Sequence, residues 1–257
     1  MTAAHDVEDI RVAAPDGVEI AVRDHGGDGV PLLLLHGAGR NLVDWELVAP
    51  LLVAEGHRVV AMDLRGHGKS GGGERPWTFE AAVADVAAVL ERFGIADAVV
   101  VGHSLGGMVA ACCLEELDGT PGAVNLDGHG MGRPSSMWGW RGRMWCGGWR
   151  KLGKLLRRRW GGLPGGGLEG VLAYNAAMAE ELGISAGVLE AGVRRGTVWN
   201  AEGEVYLRPE RVAGLGMQEA MAGIDLFGLY RRVRRPLLIA RALRPNPSTP
   251  VCLGWMN

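Results

Sequence analysis

The sequence predicts an α/β fold, in which a doubly wound, mostly parallel sheet carries an inserted helical segment. Short apolar runs alternate with amphipathic stretches along the first half of the chain, as strands and helices do in such a sheet. The run at residues 98–107 (AVVVGHSLGG) brings a serine to a glycine-flanked corner between a predicted strand and a predicted helix. The composition changes near residue 130, and a strand-like run returns at 236–240, which indicates an insertion between them.

The predicted strands begin with an antiparallel pair. Residues 10–23 alternate apolar and polar positions on both sides of a Pro-Asp-Gly turn, which is typical of a β-hairpin. The runs 31–35 (PLLLL) and 58–62 (RVVAM) are apolar almost throughout, as in strands that are buried on both faces of a parallel sheet. The run 123–126 (AVNL) predicts a further strand before the composition changes.

Helices are predicted between these strands. At 44–55 and 80–93 apolar side chains recur at helical spacing. Gly56 and Gly94 follow the two segments and act as stop signals. The alternation of strand and helix with short links therefore favours parallel pairing of the central strands.

Length and composition limit the possible functions. With 257 residues the chain can form one sizeable core and a small appended layer. Its 27 basic and 29 acidic residues give a net charge of −2, so no overall field would attract a nucleic acid or a membrane surface. The four cysteines form no CxxC pair, and the N-terminal stretch lacks the features of a signal peptide. We therefore expect a cytoplasmic protein with free thiols, no nucleic-acid partner and no stable membrane insertion, and the sequence does not indicate an oligomeric state.

Ser104 is the candidate nucleophile. A β-carbon at Gly102 or Gly106 would clash where strand and helix approach each other, so these glycines predict a tight turn that raises the serine hydroxyl into a cleft. The turn places Ser104 near the positive end of the helix, where the Leu105 amide is free to donate a hydrogen bond to an oxyanion.

A second oxyanion donor is predicted in the glycine-lined loop at residues 36–39 (HGAG), which follows the strand at 31–35. Loops at the carboxyl ends of central strands aim backbone amides into the cleft between those strands. The Ala38 amide is therefore the expected companion of the Leu105 amide.

Single positions argue against two nucleotide-binding patterns. Residues 63–70 (DLRGHGKS) end like a P-loop, but the first glycine of that motif would fall at Asp63. The glycines at 37–39 lack the third glycine of a dinucleotide fingerprint, because position 42 is leucine. No metal constellation is present in the sequence, so we expect neither a cofactor nor a metal.

Three motifs occur together in a characteristic order: HGAG at 36–39, DLRGHGKS at 63–70 and GHSLGG at 102–107. In these motifs the chain resembles the α/β-hydrolase family, strongly over about the first 128 residues. The resemblance implies that Ser104 is the nucleophile and that the Leu105 and Ala38 amides form the oxyanion hole. It also implies a hydrolase for a small, hydrophobic carboxylic ester or similar acyl compound. A C–C bond hydrolase or a haloperoxidase-like activity would use the same serine.

The other two members of a serine triad are an acid and a histidine, and in the resembled family they follow the serine in that order. Asp127, which follows the strand at 123–126, is the predicted acid, because residues 241–257 contain no carboxylate. Asp225 is a remote alternative. His36 and His67 are expected to be hydrogen-bonded loop or packing residues, and His103 should leave the corner in a different direction from the serine.

No histidine occurs after His129. The family's catalytic histidine follows a later strand, so we expect the last strand, its histidine loop and the closing helix to be missing and catalysis to be impaired. His129 could serve as base only if the following segment bends unusually. The alternative is a catalytically inactive protein of the same fold that binds a hydrophobic small molecule.

The predicted domains are an N-terminal core part at 1–128, a helical cap at 129–222 and an incomplete C-terminal core part at 223–257. Residues 133–160 hold nine basic residues, no acidic residue and five tryptophans, a pattern found in lids over hydrophobic clefts and also on membrane-surface or nucleic-acid-binding segments. The position of the segment after a core strand favours the lid. Further predicted elements of the cap are helices at 168–182 and 185–195 and a short hairpin at 199–207.

Overall fold

The computed structural model of the chain describes residues 8–128, 167–182, 185–199 and 205–241. Within these ranges the strands are β1 (Ile10–Ala13), β2 (Glu19–Gly26), β3 (Pro31–Leu35), β4 (Arg58–Met62), β5 (Val99–His103), β6 (Ala123–Leu126), β7 (Thr197–Trp199), β8 (Val205–Leu207) and β9 (Leu237–Ala240). The α-helices are α1 (Ala49–Ala54), α2 (Phe79–Phe93), α3 (Leu105–Glu116), α4 (Gly167–Leu182), α5 (Ala186–Gly196), α6 (Arg211–Gly223) and α7 (Leu226–Arg232).

Seven strands form one sheet in the order β1-β2-β4-β3-β5-β6-β9. The five strands from β4 to β9 in this order run parallel, whereas β1 and β2 form an antiparallel pair that joins β4 at one edge. The chain passes from β3 to β4 on one side and then crosses back to β5 on the other side. Ligands bind in open α/β sheets at the carboxyl ends of strands where the order reverses in this way. The predicted α/β fold with a mostly parallel sheet is confirmed.

Helices cover both faces of the sheet. Leu33 and Leu35 of β3 pack into one cluster with the buried side chains of α2 and α3. Leu32 and Leu34 point to the opposite face and pack against α1 and the turn before it. Because both faces are covered, β3 needs no polar alternation, which explains the continuous apolar run at 31–35.

The predicted helix at 44–55 is wrong in its extent. The chain forms a short 3-10 helix at Leu42–Trp45 and starts α1 only at Ala49. Pro50 has no amide hydrogen and fits only the first turn of a helix, so a helix cannot run into it from the preceding residues. Pro50 therefore indicates in the sequence where α1 begins, which the apolar spacing alone does not.

Other predicted elements lie close to the observed ones. α2 begins after Thr78, whose hydroxyl accepts a hydrogen bond from the Ala81 amide at 3.1 Å, and it ends at Gly94 with a φ of 63°. The hairpin predicted at 199–207 is present as β7 and β8, which pair in antiparallel register. The helices α4 and α5 each begin within one residue of the predicted start.

The last described strand, β9, returns the chain to the sheet beside β6, with Leu126 opposite Ala240. The basic, tryptophan-rich segment at 133–160 lies outside the described residues, and the division into core and cap stays a prediction. No described helix combines the length and the apolar character that crossing a membrane requires.

Candidate active site

The corner between β5 and α3 is closed by contacts between backbone atoms. Ser104 follows β5 directly with φ 50° and ψ −112°, a conformation that residues other than glycine rarely adopt. A β-carbon on Gly102 would lie 2.0 Å from the Gly106 carbonyl oxygen, and one on Gly106 would lie 2.4 Å from the Leu35 carbonyl oxygen. Only glycine fits either position, so strand and helix can approach closely enough to hold Ser104 in this strained turn.

The backbone of Ser104 is fixed while its side chain is partly exposed. The Ser104 amide donates a hydrogen bond to the Leu126 carbonyl at 2.8 Å, and the Ser104 carbonyl accepts one from the Met108 amide at 3.1 Å. The hydroxyl makes no capping hydrogen bond at the start of α3. A hydroxyl held on a rigid corner and open to small molecules has the position that a nucleophile requires.

Two backbone amides border Ser104. Leu105 is the first residue of α3, where amides have no acceptor within the helix. The loop at 36–39 reaches the same place, because a β-carbon on Gly37 would lie 3.4 Å from the Ser104 Cβ. Within the described part of the chain, neither the Leu105 amide nor the Ala38 amide donates a hydrogen bond. Two such donors beside a serine can stabilise an oxyanion.

The loop that carries Ala38 is tied to the end of β4. His36 is fully buried, its Nε2 accepts a hydrogen bond from the Leu64 amide at 2.9 Å, and its Nδ1 donates to the Gly37 carbonyl at 2.8 Å. At the other end of the loop, the Leu42 amide donates to Asp63 Oδ1 at 2.8 Å. Both ends of the loop are therefore anchored to the same neighbouring segment.

Asp127 lies in a turn that approaches Ser104. Its φ is 57°, and its amide donates to the Ala240 carbonyl at 2.7 Å, which joins the turn to β9. A β-carbon on Gly128 would lie 2.4 Å from the Ser104 carbonyl oxygen. The structure thus brings the backbone around the predicted acid next to the backbone of the predicted nucleophile.

Asn125, in β6, holds the turn at residues 127–128 through its side-chain amide, and the sequence analysis missed this role. Its buried Oδ1 accepts a hydrogen bond from the Gly128 amide at 2.7 Å, and its Nδ2 donates to the Gly128 carbonyl at 2.7 Å and to the Tyr230 hydroxyl at 2.9 Å. A β-carbon on Gly107 would lie 2.2 Å from Asn125 Oδ1, so the amide also lies directly against the first turn of α3. The available signal was a single amide side chain inside an otherwise apolar strand.

Two histidines are buried in the loops beside the site. His36 and His67 are fully buried, and their rings meet edge to face with centroids 5.1 Å apart. His67 Nδ1 donates to the Arg65 carbonyl at 3.0 Å. Burial lowers the pKa of His36, and burial together with the neighbouring His36 lowers the pKa of His67 to about 3. Both are buried, hydrogen-bonded packing residues, as predicted, and their lowered pKa values favour the neutral form.

The remaining described histidines take different positions. His25 and His57 lie near the amino end of β4, at the edge of the parallel strands opposite to Ser104. His103 is exposed. Within the described residues, no imidazole is hydrogen-bonded to the Ser104 hydroxyl. Two further histidines, His5 and His129, lie outside the described residues.

Among the described residues, no group of three or more His, Cys, Asp or Glu side chains could hold a metal ion. Two of the four cysteines, Cys112 and Cys113, are buried in α3 as free thiols. Burial raises the pKa of the Cys112 thiol to about 12, so this thiol is not a competing nucleophile near neutral pH.

Comparison with known proteins finds sequence similarity within the N-terminal part of the chain. Residues 30–125 match the family model of the alpha/beta hydrolase fold. A non-heme haloperoxidase of Rhodococcus erythropolis is 42% identical over 96 residues, which are 37% of this chain and 35% of that protein. A bifunctional esterase/perhydrolase of Acinetobacter calcoaceticus is 40% identical over 100 residues, 37% of this chain and 35% of that protein. The matches thus span about a third of the length of these curated relatives.

Solved structures match over a larger share of the chain. An E-2-(acetamidomethylene)succinate hydrolase superposes with a TM-score of 0.68 at 22% identity, covering 90% of this chain and 79% of that one. An esterase from Exiguobacterium antarcticum superposes with a TM-score of 0.61 at 18% identity, covering 90% and 80% of the two chains. At such identities the likeness concerns the fold alone.

Proposed function

We propose that the chain is a serine hydrolase of small carboxylic esters or similarly activated acyl compounds, on the premise that residues 30–125 match the family model of the alpha/beta hydrolase fold. The Ser104 oxygen forms a bond to the acyl carbon and its proton passes to the solvent, while the Leu105 and Ala38 amides hold the tetrahedral oxyanion. The bond from the acyl carbon to the alcohol oxygen then breaks, and the alcohol takes up a proton from the solvent as it leaves. Water finally attacks the acyl-enzyme, releases the acid and returns a proton to the Ser104 oxygen. Asp127 is assigned as the acid of the site.

The observation that supports this proposal most directly is the strained, partly exposed serine bordered by two backbone amides that have no acceptor within the described residues. Strain of this kind costs of order 1–3 kcal/mol and persists where the surrounding contacts enforce it, most often at functional sites. An ester substrate is further favoured by the relative named as a bifunctional esterase/perhydrolase.

We also propose that turnover is slow. None of the histidines in the described ranges is hydrogen-bonded to Ser104, and two of those near the site are sealed as neutral packing groups. Removal of the histidine from a serine triad lowers kcat by roughly 10⁶-fold and leaves about 10³- to 10⁴-fold catalysis over water, which comes from the oxyanion hole and substrate binding. We expect this residual level of activity.

The test is the hydrolysis of p-nitrophenyl acetate by the full chain and by Ser104→Ala. Ser185→Ala is the matched control, because Ser185 is an exposed serine that also precedes a helix without a side-chain capping bond. We expect Ser104→Ala to lower the rate at least tenfold and Ser185→Ala to leave it unchanged. Equal rates for the full chain and Ser104→Ala would contradict the hydrolase and favour the small-molecule binder.

Added imidazole tests the slow-turnover proposal separately. Imidazole is small enough to approach a partly exposed serine and can accept its proton, so it should raise the difference in rate between the full chain and Ser104→Ala. The Ser104→Ala variant corrects for hydrolysis by imidazole itself. A fast rate that imidazole does not change would show that the chain already supplies a base.

A further inference from the structure

Arg195, in the last turn of α5, is a buried cation that the proposed chemistry does not use. Its side chain is 4% exposed. Its Nε donates to Asp63 Oδ2 at 2.9 Å, and its Nη1 donates to Asp9 Oδ2 at 2.8 Å. A guanidinium is tolerated at such burial only when carboxylates pair with it in good geometry, so α5 is held in this place on the core.

Asp63 connects this ion pair to the loop that carries Ala38. The carboxylate that receives Arg195 on Oδ2 accepts the Leu42 amide on Oδ1 at 2.8 Å. Asp63 Oδ2 also accepts the Lys69 amide at 2.7 Å, and the Asp63 side chain has no exposed surface. A displacement of Arg195 would leave this buried carboxylate without its counter-charge and would free it to move together with the Leu42 amide.

α5 also contacts the same loop directly. The Asn41 Nδ2 donates to the Gly192 carbonyl at 2.7 Å, and a β-carbon on Gly192 would lie 3.8 Å from Asn41 Oδ1. Asn41 is itself only 5% exposed. Two independent contacts from one helix therefore meet at one end of the loop, and the opposite end is held by His36.

We propose that Arg195 is a positioning residue that couples the docking of α5 to the placement of the Ala38 amide beside Ser104. When α5 is docked, the loop at 36–42 is fixed at both ends and its amide donor points to the place of the oxyanion. When Arg195 is removed, the loop gains freedom and the donor loses its fixed direction. The effect on catalysis rests on the proposed function, whereas the effect on the loop does not.

The first readout is amide hydrogen exchange of peptides that cover residues 36–42. The Arg40 and Leu42 amides are hydrogen-bonded in the native loop and report its order. We expect Arg195→Met to speed their exchange by roughly tenfold or more. Arg194→Met is the matched control, because Arg194 is the preceding residue, is 56% exposed and pairs only with Glu190 on the surface of α5 among the described residues.

The second readout is Ser104-dependent ester turnover. Loss of one oxyanion donor lowers kcat by about 10²- to 10³-fold, so a loosened donor should lower kcat by roughly tenfold or more with little change in KM. Arg195→Lys keeps the charge but cannot reach both carboxylates in the fork geometry, and it should restore part of the loss. If Arg195→Met does not fold, Arg195→Lys compared with Arg194→Lys gives the same test.

Each result has one meaning. Faster exchange at 36–42 with lower kcat supports the proposal. Unchanged exchange overturns the coupling, and faster exchange with unchanged kcat overturns the positioning role. If the full chain shows no turnover that depends on Ser104, the proposed function fails, while the exchange experiment still decides the coupling.

Discussion

Replacement of Gly102 by alanine tests how tightly the corner between β5 and α3 is closed. The new β-carbon would lie 2.0 Å from the Gly106 carbonyl oxygen, 2.1 Å from the Gly106 carbonyl carbon and 2.5 Å from the Gly107 nitrogen. All three are backbone atoms, so no side-chain rotation can make room. To reach an ordinary contact of about 3.5 Å, α3 must move away from β5 by roughly 1 to 1.5 Å.

Such a movement affects both stability and chemistry. Overpacking of a well-packed core costs typically about 1–3 kcal/mol, and this contact lies at the upper end because the backbone must shift. For a protein of this size about 3 kcal/mol lowers Tm by roughly 6–12 °C. A misplacement of about 1 Å at the reacting group lowers the rate by roughly 100-fold, so the residual Ser104-dependent turnover of Gly102→Ala should fall below detection.

The assay is thermal unfolding followed by tryptophan fluorescence, together with p-nitrophenyl acetate turnover. Gly72→Ala is the matched control, because no heavy atom beyond its two chain neighbours lies within 4 Å of the place where its β-carbon would be, and its φ is not in the left-handed region. The control should change stability by no more than about 0.5 kcal/mol and leave turnover unchanged. If Gly102→Ala behaves like Gly72→Ala, the corner is not closed as described.

Three further predictions concern buried polar groups. Asp85→Ala should lower the free energy of unfolding, measured in urea, by about 3 kcal/mol or more. The reason is that Arg65, whose side chain is 4% exposed, loses a partner that it contacts at 2.7 Å through Nε and at 2.6 Å through Nη2. An unchanged urea midpoint would contradict this. Burial lowers the pKa of His67 from 6.5 to about 3, so the unfolded chain binds a proton at a higher pH than the folded chain does. The free energy of unfolding should therefore fall as the pH drops from 6.5 towards 3, by about 2 kcal/mol at pH 5. His67→Gln should flatten this fall, and a slope that the variant does not change would refute the assignment. Asn125→Ala leaves the buried Gly128 amide, in the turn after β6, without its partner and leaves the Gly128 carbonyl with the Tyr230 hydroxyl alone, at 3.3 Å. It should cost about 1–3 kcal/mol and lower Ser104-dependent turnover, with a smaller effect for Tyr230→Phe. Wild-type turnover in Asn125→Ala would exclude a role for the amide in holding the turn.

The features that local sterics determine could be predicted from the sequence. Glycines two positions before and after Ser104 indicate a close crossing of strand and helix, and the structure places backbone atoms 2.0 to 2.4 Å from the missing β-carbons. The strands β3 and β4 could also be predicted from their apolar runs, because a strand that is covered on both faces has no exposed positions for polar residues. The predicted extent of α1 was wrong because apolar spacing does not show where a helix begins, whereas Pro50 restricts the start of α1 to the residue before it.

The contacts that hold the site together join residues far apart in the chain and have no spacing that reveals them. Asn125 meets Tyr230 across 105 positions, and Arg195 meets Asp63 across 132 positions. A lone amide in an apolar strand could have indicated a buried hydrogen-bonding role for Asn125. Arg195 gave no comparable signal. It follows Arg194 in the same helix, and the sequence does not show which of the two arginines is buried.

The proposed function depends most on Ser104 being a nucleophile, and covalent labelling by a fluorophosphonate measures this without need of turnover. In the reaction the Ser104 oxygen forms a bond to phosphorus, fluoride leaves, and the hydroxyl proton passes to the solvent. The adduct is located by mass spectrometry of the intact chain and of the peptide that contains residue 104. We predict one adduct on Ser104, retained in Ser185→Ala and lost in Ser104→Ala. An adduct elsewhere in the chain that persists in Ser104→Ala, or none on Ser104 after prolonged incubation, would contradict the assignment of Ser104 as the nucleophile.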